Sequence, residues 1–425
     1  MTKKLQVALV GCGTVGSAVA KFLLAHRLDL VVTSDVDIKL SKIYTRNPNG
    51  RKSQELYTTH PELFVQDFDE ILQDSQIDIV IETIGGTDFA REVVVGAIKS
   101  DKDVVTANKA LLAIYGEEIF ALLRQYGRQL GYEAAVAGSI PIISTLRNHL
   151  VGRRVKAIAG ILNGTCNYIL SRMQESGCSF GDALKDAQEL GYAEADPNED
   201  ISGADTRNKI SILAHTAFGF YFNPADIYTQ GIEEIIPEDF KYAKDKFNST
   251  IKLIAYCTNE RVIYVCPMLV PRNSFLANIS DNRNGISIYG EYFNEIGLTG
   301  PGSGGEQTAV SIIADLVSIA SGTLKSKHLT TFEPHSFEEL YFTHTLRFVI
   351  KDQVGILRDI TGILAQEGIS VRAVEQNEYT EDDKDSLPFF ITLEPAQEKN
   401  VQKAVHKINQ LPYMVRPVVI FRILK

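Results

Sequence analysis

The chain has 425 residues, 53 acidic against 43 basic side chains, and a formal net charge of -10. This length predicts two or three domains, and a composition with 44% hydrophobic and 23% charged residues argues against fibrous and disordered proteins. The acidic balance, without a block of lysine and arginine, argues against nucleic-acid binding. No apolar run approaches the roughly 20 residues of a membrane span, so we expect a soluble protein without membrane association.

The five cysteines are scattered and form no C-x-x-C pair. An odd, scattered set is typical of reduced thiols, so we expect a cytoplasmic protein. The N-terminal MTKKLQVALVGCGTVG has the lysines and apolar run of a signal peptide, but its glycines would break the hydrophobic helix of such a peptide. A strand, a turn and a helix need those glycines.

Strands and helices alternate over the first 130 residues. The predicted strands lie at 5–11, 38–44, 77–86 and 104–112, the last running into a helix. This alternation predicts an α/β fold, a Rossmann-type doubly wound parallel sheet that forms an NAD(P)-binding domain at 1–130.

Longer connections follow from residue 131, and residues 131–321 are predicted as an α+β domain with an open sheet. RVKAIAGILNGTCNYIL is a strand running into a helix that Asn163 or Thr165 caps, and RVIYVCPMLV, GISIYGEYF and EIGLTG are further strands. The glycine-rich GPGSGG opens a long helix at 304–321. Its Gly304 would let a helix N-terminus close over a cofactor, and a plain loop is the alternative.

The last part of the chain predicts a small module behind a linker. Residues 322–340 are polar and include a proline, which is typical of a linker. In residues 341–425 the predicted order is strand, helix, strand, acidic loop (TEDDKDS), strand, helix and strand. This order predicts a separate ferredoxin-like module.

The hexapeptide GCGTVG is a G-x-G-x-x-G motif placed directly between a strand and a helix. Gly11 permits the turn, Gly13 lets the backbone approach a pyrophosphate, and Gly16 allows close helix packing, with the phosphate at the helix N-terminus. We therefore predict a dinucleotide site that also includes Thr14 and Val15. A tight turn without a ligand is the structural alternative.

The end of the second strand distinguishes NAD from NADP. An NAD site carries an acid there, about 20 residues past the glycines, and counting reaches Asp35 or Asp37. Both precede the predicted strand, because the connection before it is long. The predicted strand ends at Tyr44 and Arg46 follows it. A guanidinium suits a ribose 2′-phosphate, so we predict NADP in preference to NAD. A solvated loop residue is the alternative for Arg46.

Asp205 and Lys209, in DISGADTRNK at 200–209, are four residues apart and would share one helix face. Three structural interpretations compete with a catalytic one. Ser202-x-x-Asp205 fits a capping box, and the pair fits an exposed ion pair worth about 0.3–0.5 kcal/mol. The acids of DPNED suggest a calcium-binding loop. This interpretation fails because Ile201 occupies the position at which such a loop requires glycine.

Alcohol oxidation would give this pair a chemical role. Hydride leaves carbon while a base takes the hydroxyl proton, and no histidine occurs in the motif. A lysine serves when burial or a second cation lowers its pKa toward neutrality. Lys109 is a candidate for that second cation, and Asp205 would orient the amine of Lys209. The chemistry therefore favours proton transfer, and capping is compatible with it, because an acid in the first helical turn can do both.

Taken together, several ordered stretches resemble the homoserine dehydrogenases. They are VALVGCGTVG, ETIGG, VVTANKALL, EAAVAGSIP, GILNGTCNYIL and LGYAEADPNEDISGADTRNK. The resemblance covers residues 1 to about 320, and residues 341–425 resemble an ACT domain. It implies reversible NAD(P)-dependent oxidation of L-homoserine to L-aspartate 4-semialdehyde, in threonine, methionine and isoleucine biosynthesis. It also implies that 131–321 serves substrate binding, catalysis and dimerisation, and that helix 304–321 packs back on the first domain.

The same resemblance implies roles for single residues. Lys209 matches the proton-transferring lysine and Asp205 the acid beside the substrate. Glu194 matches the residue that holds the substrate amino group, and Asp200 lines the same pocket. A solvated acid is the alternative for Glu194. Lys109 matches a position that contacts both the substrate and the nicotinamide end of the cofactor.

Further matches concern the cofactor, a cation and an effector. Thr83 matches a residue that contacts the nicotinamide end of the cofactor. A monovalent-cation site, for an ion such as Na⁺, is implied for the backbone carbonyls of Glu133, Val136, Gly138 and Ile140. Asp352 and Gly355 occupy positions of the ACT family's D-x-P-G turn, where Val354 replaces the proline and leaves φ less restricted.

The ACT resemblance implies feedback inhibition, with L-threonine as the expected effector, through ACT pairing in a homodimer or homotetramer. A dimerisation module without a ligand is the alternative. Two other functions stay open for the whole chain. Aspartate-semialdehyde dehydrogenase needs a cysteine nucleophile with a base nearby, and only Cys166 stands in a motif. A non-catalytic sensor of NADP and an amino acid would have no need of Lys209.

Overall fold

The computed structural model describes residues 2–324, 330–376 and 385–424. The strands are β1 (Lys3–Val10), β2 (Val36–Tyr44), β3 (Phe64–Val65), β4 (Ile79–Glu82), β5 (Asp103–Thr106), β6 (Leu130–Gly131), β7 (Val155–Ile161), β8 (Phe220–Tyr221), β9 (Tyr228–Thr229), β10 (Ser249–Thr258), β11 (Ile263–Pro271), β12 (Arg283–Gly290), β13 (Glu295–Pro301), β14 (Thr330–Thr331), β15 (Tyr341–Phe342), β16 (His344–Ile350), β17 (Val371–Gln376), β18 (Leu387–Leu393), β19 (Ala396–Gln397) and β20 (Met414–Ile423). The helices are α1 (Thr14–Ala25), α2 (Arg27–Ser34), α3 (Gln54–Thr59), α4 (Asp69–Leu72), α5 (Asp88–Lys99), α6 (Lys109–Tyr126), α7 (Ile142–Ser144), α8 (Gly164–Ser176), α9 (Phe180–Glu189), α10 (Asn198–Ile201), α11 (Ala204–Phe218), α12 (Pro237–Phe247), α13 (Gly305–Ala320), α14 (Ile356–Gln366) and α15 (Glu398–Ile408).

The first sheet is parallel and has the order β3-β2-β1-β4-β5-β6. Side chains of β1 alternate between two cores, because successive residues of a strand point to opposite faces. Val7 and Leu9 pack with residues of α1 and α13, whereas Ala8 and Val10 pack with residues of α5 and α6. Helices therefore cover both faces, which confirms the prediction of a doubly wound Rossmann-type sheet.

The second strand of this sheet begins earlier than predicted. It starts at Val36 rather than Ile38, because helix α2 fills the connection that the sequence suggested was long. Asp37 therefore lies inside the strand, where its carboxylate accepts two hydrogen bonds from Arg27, at 2.5 and 2.9 Å. Asp35 and Asp37 are still at the amino end of β2, away from the edge where such sheets bind nucleotides.

A second, mixed sheet has the order β13-β12-β7-β10-β11-β20-β16-β18-β17, with β9 also paired to β11. Its last four strands carry helices α14 and α15 on one face, which is the ferredoxin-like arrangement predicted for residues 341–425. The module is not separate, however. Strand β20 pairs in parallel with β11, Met268 opposite Arg422 and Leu269 opposite Ile423, so one sheet runs through both parts of the chain.

The helix-free face of the ferredoxin-like strands packs on α12. The ring of Tyr242 stacks on that of Phe390 with centroids 3.8 Å apart, and Arg347 Nε lies 3.0 Å from a carboxylate oxygen of Asp239. The predicted linker is also partly structured, because β14 pairs with β8 and Phe337 stacks on Tyr228.

Parts of two predicted segments lie outside the described residues. They are residues 325–329 of the predicted linker and most of the acidic loop at 380–386. In the part of the chain that the structure describes, no helix is both long enough and apolar enough to cross a bilayer.

Candidate active site

The glycine motif forms a tight turn from β1 into α1. A Cβ on Gly16 would lie 2.0 Å from the carbonyl oxygen of Gly11, and one on Gly11 would lie 2.7 Å from the Thr83 backbone. The Thr83 hydroxyl donates a hydrogen bond to that same Gly11 carbonyl, at 2.8 Å. Gly13 differs from both, since a Cβ there would meet no described atom within 4 Å. Packing does not require glycine at that position, and the open space suits the approach of a pyrophosphate.

Helix α13 begins beside the start of α1. A Cβ on Gly305 would lie 2.9 Å from the carbonyl oxygen of Thr14, and Gly304 has a φ of +126° that other residues rarely adopt. Along its length α13 shares a core with α1 through Ile312 and Leu316. Two helix N-termini thus meet at the glycine turn, and both favour a negatively charged ligand there.

Three cations, Arg46, Arg51 and Lys52, follow the end of β2 in the chain. The Gly11 amide donates to the carbonyl of Tyr44, which ties the glycine turn to this strand end. Two residues further on, the Arg46 guanidinium carbon lies 4.7 Å from the ring centroid of Phe89, with the side chain exposed. Arg51 and Lys52 instead line an open cavity of about 800 Å³ next to Thr14. The sequence singled out Arg46, which does not line that cavity.

Asp205 is the centre of a buried charge cluster. Its carboxylate oxygens lie 2.7 Å from the amine of Lys209 and 2.7 Å from that of Lys109. Asn163 donates from its amide nitrogen to Asp205, at 2.8 Å, and to Asp200, at 2.6 Å. The amine of Lys209 also donates to the carbonyl oxygen of Leu162, at 2.8 Å. Helices α6, α10 and α11 and the connection between β7 and α8 supply these groups.

This geometry rules out two of the structural interpretations of the Asp205–Lys209 pair. The exposed-ion-pair interpretation is wrong, because Asp205 is 2% exposed and Lys209 9% exposed. The capping-box interpretation is wrong as well. Helix α11 is capped by Gly203, with a φ of +84°, and no side chain caps it. Ser202 ends α10 instead, so the Asp205 carboxylate is available to the two lysines.

Burial and charge act in opposite directions on this cluster. Burial raises the pKa of Asp205, but the charges of Lys209 and Lys109 outweigh it and hold the pKa well below its usual range. Burial lowers the pKa of Lys109, and the charge of Asp205 outweighs it so that the net shift is upward. The cluster is therefore built around an ionised carboxylate.

A polar cavity of about 360 Å³ opens beside this cluster. Five of the residues singled out by sequence line it, namely Lys109, Glu194, Asp200, Asp205 and Lys209. Asn163, Asn282, Gly302 and Ser303 line it too. The excess of carboxylates suits the ammonium group of an amino acid, and the lysines suit proton transfer or an oxyanion.

Sequence reasoning missed three contributors to this site. It considered Asn163 only as a helix cap, and the residue does cap α8, but its amide nitrogen also joins two carboxylates. Leu162 acts through a backbone carbonyl, which leaves no sequence signal. Glu82 is fully buried and accepts from Thr106, at 2.5 Å, and from the Ile84 amide, at 2.7 Å. It thereby holds the loop that carries Thr83.

The predicted cation loop turns sharply at Ala137 and Gly138, which both have positive φ. The Gly138 carbonyl accepts from the Ser311 hydroxyl at 2.7 Å, and the Ile140 carbonyl accepts from an amide two residues on. The Glu133 carboxylate accepts from the amides of Ile143 and Ser144. Of the four predicted ligands, only Val136 has no hydrogen bond to its carbonyl in the described part of the chain.

The ACT-type turn lies far along the chain from this cluster. Gly355 has a φ of +100° and caps α14, while Val354 is fully exposed. The glycine is thus required by the backbone conformation.

Cys166 does not have the properties of a nucleophile. It is buried, its thiol donates to the carbonyl of Asp200, and burial raises its pKa well above the usual value. A nucleophilic cysteine needs a depressed pKa, so aspartate-semialdehyde dehydrogenase chemistry is not supported.

Comparison with known protein families identifies each part of the chain. Residues 11–133 match the family model described as the NAD-binding domain of homoserine dehydrogenase, and residues 344–411 match the ACT domain. The first match, on a doubly wound sheet with a glycine-rich turn, places the protein among the NAD(P)-binding oxidoreductases. Residues 141–317 match the homoserine dehydrogenase model itself.

Full-length relatives agree with these matches. Homoserine dehydrogenase of Neisseria gonorrhoeae is 35% identical, over 99% of this chain and 98% of its own length. Homoserine dehydrogenase of Helicobacter pylori is also 35% identical, over 98% of this chain and 99% of its own length. The crystal structure of the Thiobacillus denitrificans homoserine dehydrogenase superimposes with a TM-score of 0.88 at 34% identity, covering 100% of this chain and 99% of that one. The chain belongs to the homoserine dehydrogenase family, which confirms the resemblance that the sequence motifs indicated.

Proposed function

We propose that the enzyme interconverts L-homoserine and L-aspartate 4-semialdehyde, with Lys209 as the group that transfers the hydroxyl proton. One observation carries this proposal: the Lys209 amine lies between Asp205 and the Leu162 carbonyl, at the wall of a polar cavity. A lysine in an ion pair is in its ammonium form, which donates a proton to the substrate oxygen during reduction of the aldehyde. Oxidation reverses the same step.

Glu194 and Asp200 are proposed to bind the substrate ammonium, because both carboxylates line the cavity that holds Lys209. Lys109 is proposed to orient Asp205 and to contact the substrate. The open space over Gly13 and the two helix N-termini fit the pyrophosphate of a dinucleotide, with Thr83 at the nicotinamide end. When bound, the nicotinamide ring carries the hydride.

The test of this function is the initial rate of nicotinamide reduction with L-homoserine, measured with NADP and NAD in parallel. We expect homoserine-dependent reduction with both, faster with NADP. NADPH binding without any homoserine-dependent turnover would favour the non-catalytic sensor instead.

We propose NADP as the preferred cofactor. Arg46, Arg51 and Lys52 follow the strand end that is tied to the glycine turn, and their charges suit a 2′-phosphate. A hyperthermophilic archaeal homoserine dehydrogenase solved in complex with NADPH superimposes with a TM-score of 0.64 at 26% identity, over 77% of this chain and 100% of that one.

Arg46→Ala should raise the KM for NADP about 10- to 100-fold and leave that for NAD within about twofold, because a hydrogen bond to a charged group contributes about 1.5–3 kcal/mol. Steady-state kinetics with both cofactors measures this. Lys39→Ala removes an exposed cation from the middle of the same strand and is the matched control. An unchanged ratio of the two KM values in Arg46→Ala would remove Arg46 from the cofactor site.

A monovalent cation such as Na⁺ is proposed at the carbonyls of Glu133, Val136, Gly138 and Ile140. The loop abuts the cavity, since a Cβ on Gly138 would lie 2.8 Å from the Gly302 backbone. Repeating the rate assay in sodium-free buffer tests this, and an unchanged rate speaks against the cation.

We propose that the ACT domain binds L-threonine at the turn of Asp352 and Gly355, in a homodimer or homotetramer held by ACT pairing. Support comes from the positive φ that preserves the shape of the turn without its proline. All five cysteines are free thiols, which supports a cytoplasmic location.

L-Threonine should lower the initial rate and raise the melting temperature, because a ligand that binds only the folded state stabilises it. Activity and thermal-shift titrations measure both effects, with L-valine as a control of similar shape. If neither quantity responds to threonine, the domain serves pairing alone. Sedimentation analysis gives the subunit number.

A further inference from the structure

The carbonyl oxygen of Leu162 accepts two hydrogen bonds. One comes from the amine of Lys209, at 2.8 Å, and the other from the side-chain amide of Asn284, at 3.1 Å. Leu162 directly follows strand β7, and Asn284 lies in the adjacent strand β12. The carbonyl that holds the proposed proton donor is therefore itself held by a residue with no contact to the cavity.

Asn284 is rigidly placed. It is fully buried, lies opposite Gly300 in the pairing of β12 with β13, and accepts at its backbone carbonyl from the Thr299 hydroxyl. Its side chain lies flat against Gly302, where a Cβ would come within 2.3 Å of the amide group. Gly302 lines the active-site cavity, so one amide connects the cavity wall with the Leu162 carbonyl.

A purely structural role does not account well for an asparagine here. Its amide oxygen has no hydrogen-bond partner among the described residues. Burying such an atom costs about 1–3 kcal/mol, and an apolar side chain of similar size would avoid that cost. Retaining the amide therefore fits a requirement for its N–H donor at Leu162.

The geometry of the ammonium group explains what that donor does. A lysine ammonium has three N–H donors in fixed tetrahedral directions. Asp205 and the Leu162 carbonyl take two of them, so the direction of the third is determined by where these two acceptors lie. Fixing the carbonyl fixes the donor that remains for the substrate oxygen.

We propose that Asn284 is a positioning residue for proton transfer, which sets the orientation of the Lys209 ammonium through the Leu162 carbonyl. This inference rests on the proposed function of Lys209. It concerns the chemical step alone, since Asn284 is not among the residues that line the substrate cavity.

The test compares the pH dependence of kcat for homoserine oxidation in Asn284→Ala, Asn284→Asp and the wild type. Asn284→Ala should lower kcat about 10- to 100-fold, the loss expected from a misplaced reacting group, with the KM for NADP unchanged. Asn284→Asp is nearly isosteric, and its carboxyl group can donate to the Leu162 carbonyl only while it holds its proton. The kcat of this variant relative to the wild type should therefore fall as the pH rises and the carboxyl group ionises.

Thr299→Val is the matched control, because it removes a hydrogen bond to the backbone of Asn284 and spares the bond to Leu162. It should keep the pH profile of the wild type. If Asn284→Ala does not fold, Asn284→Asp decides alone. A folded Asn284→Ala variant with the kcat of the wild type overturns the proposal, and so does a folded Asn284→Asp variant with the wild-type pH profile. Wild-type protein without homoserine-dependent turnover would instead contradict the proposed function.

Discussion

Lys209→Met should lower kcat about 10²- to 10⁴-fold in both directions, which is the usual contribution of a general acid or base. Methionine keeps the length of the side chain and removes only the donor. Asp205 would keep two partners, Lys109 and Asn163, so no buried charge is left without compensation. The affinity for NADPH should therefore stay within about twofold of the wild type.

Steady-state rates with homoserine and NADPH fluorescence titration measure these two quantities. Lys185→Met is the control, because this lysine is largely exposed and pairs with Glu189 at 3.8 Å on the surface. A Lys209→Met variant that kept more than about a tenth of the wild-type kcat would show that another group moves the proton. Loss of NADPH binding together with activity would instead indicate a structural role.

Glu398→Gln should destabilise the enzyme by about 3–5 kcal/mol, because it leaves the buried guanidinium of Arg422 without its counter-charge. The Glu398 carboxylate accepts two hydrogen bonds from Arg422, the one from Nε at 3.0 Å, and lies 2.9 Å from His344 Nε2. All three side chains are fully buried. Arg422 also donates to Gln230 and Tyr228, outside the ACT domain, so the loss should affect both parts of the chain.

The effect should depend on pH. Burial raises the pKa of Glu398, but hydrogen bonds from His344 and Arg422 outweigh it and lower the pKa from 4.5 to about 2. A carboxyl group with a depressed pKa stabilises the fold fully above its unfolded-state value, and that stability is lost as the pH falls toward its folded-state value. The difference between wild type and Glu398→Gln should thus be full above pH 4.5 and shrink below it.

Urea unfolding at several pH values measures this difference. Glu394→Gln is the control in the same domain, since its ion pair with Arg372 is about half exposed, and it should leave the midpoint nearly unchanged. If the cost of Glu398→Gln stayed constant from pH 7 to pH 3, the carboxylate would not be the source of the stability.

The parts of the site that depend on local chemistry were predictable from the sequence. Gly16 is required by a backbone contact with Gly11 within one turn, so the motif alone indicated the fold around it. The spacing of Asp205 and Lys209 likewise placed both side chains on one helix face, and α11 brings them within 2.7 Å of each other.

The rest depends on partners that are distant in the sequence. Ser202 and Asp205 have the spacing of a capping box, yet the turn at Gly203 starts the helix after the serine, and Lys109 from another helix binds the carboxylate. Leu162 contributes only a backbone carbonyl, and Asn284 reaches it because β7 and β12 are neighbours. No periodicity in the sequence encodes the pairing of those two strands.

The pairing of β11 with β20 has a consequence for how the enzyme can be divided. Cutting the chain in the segment between α13 and the ACT domain would not release a finished catalytic unit, because it would strip β11 of its neighbour at Met268 and Leu269. The uncovered strand edge would present free amide and carbonyl groups, a template for intermolecular pairing. The ACT domain therefore protects a strand edge of the catalytic part, and we expect its removal to lower the solubility of the enzyme.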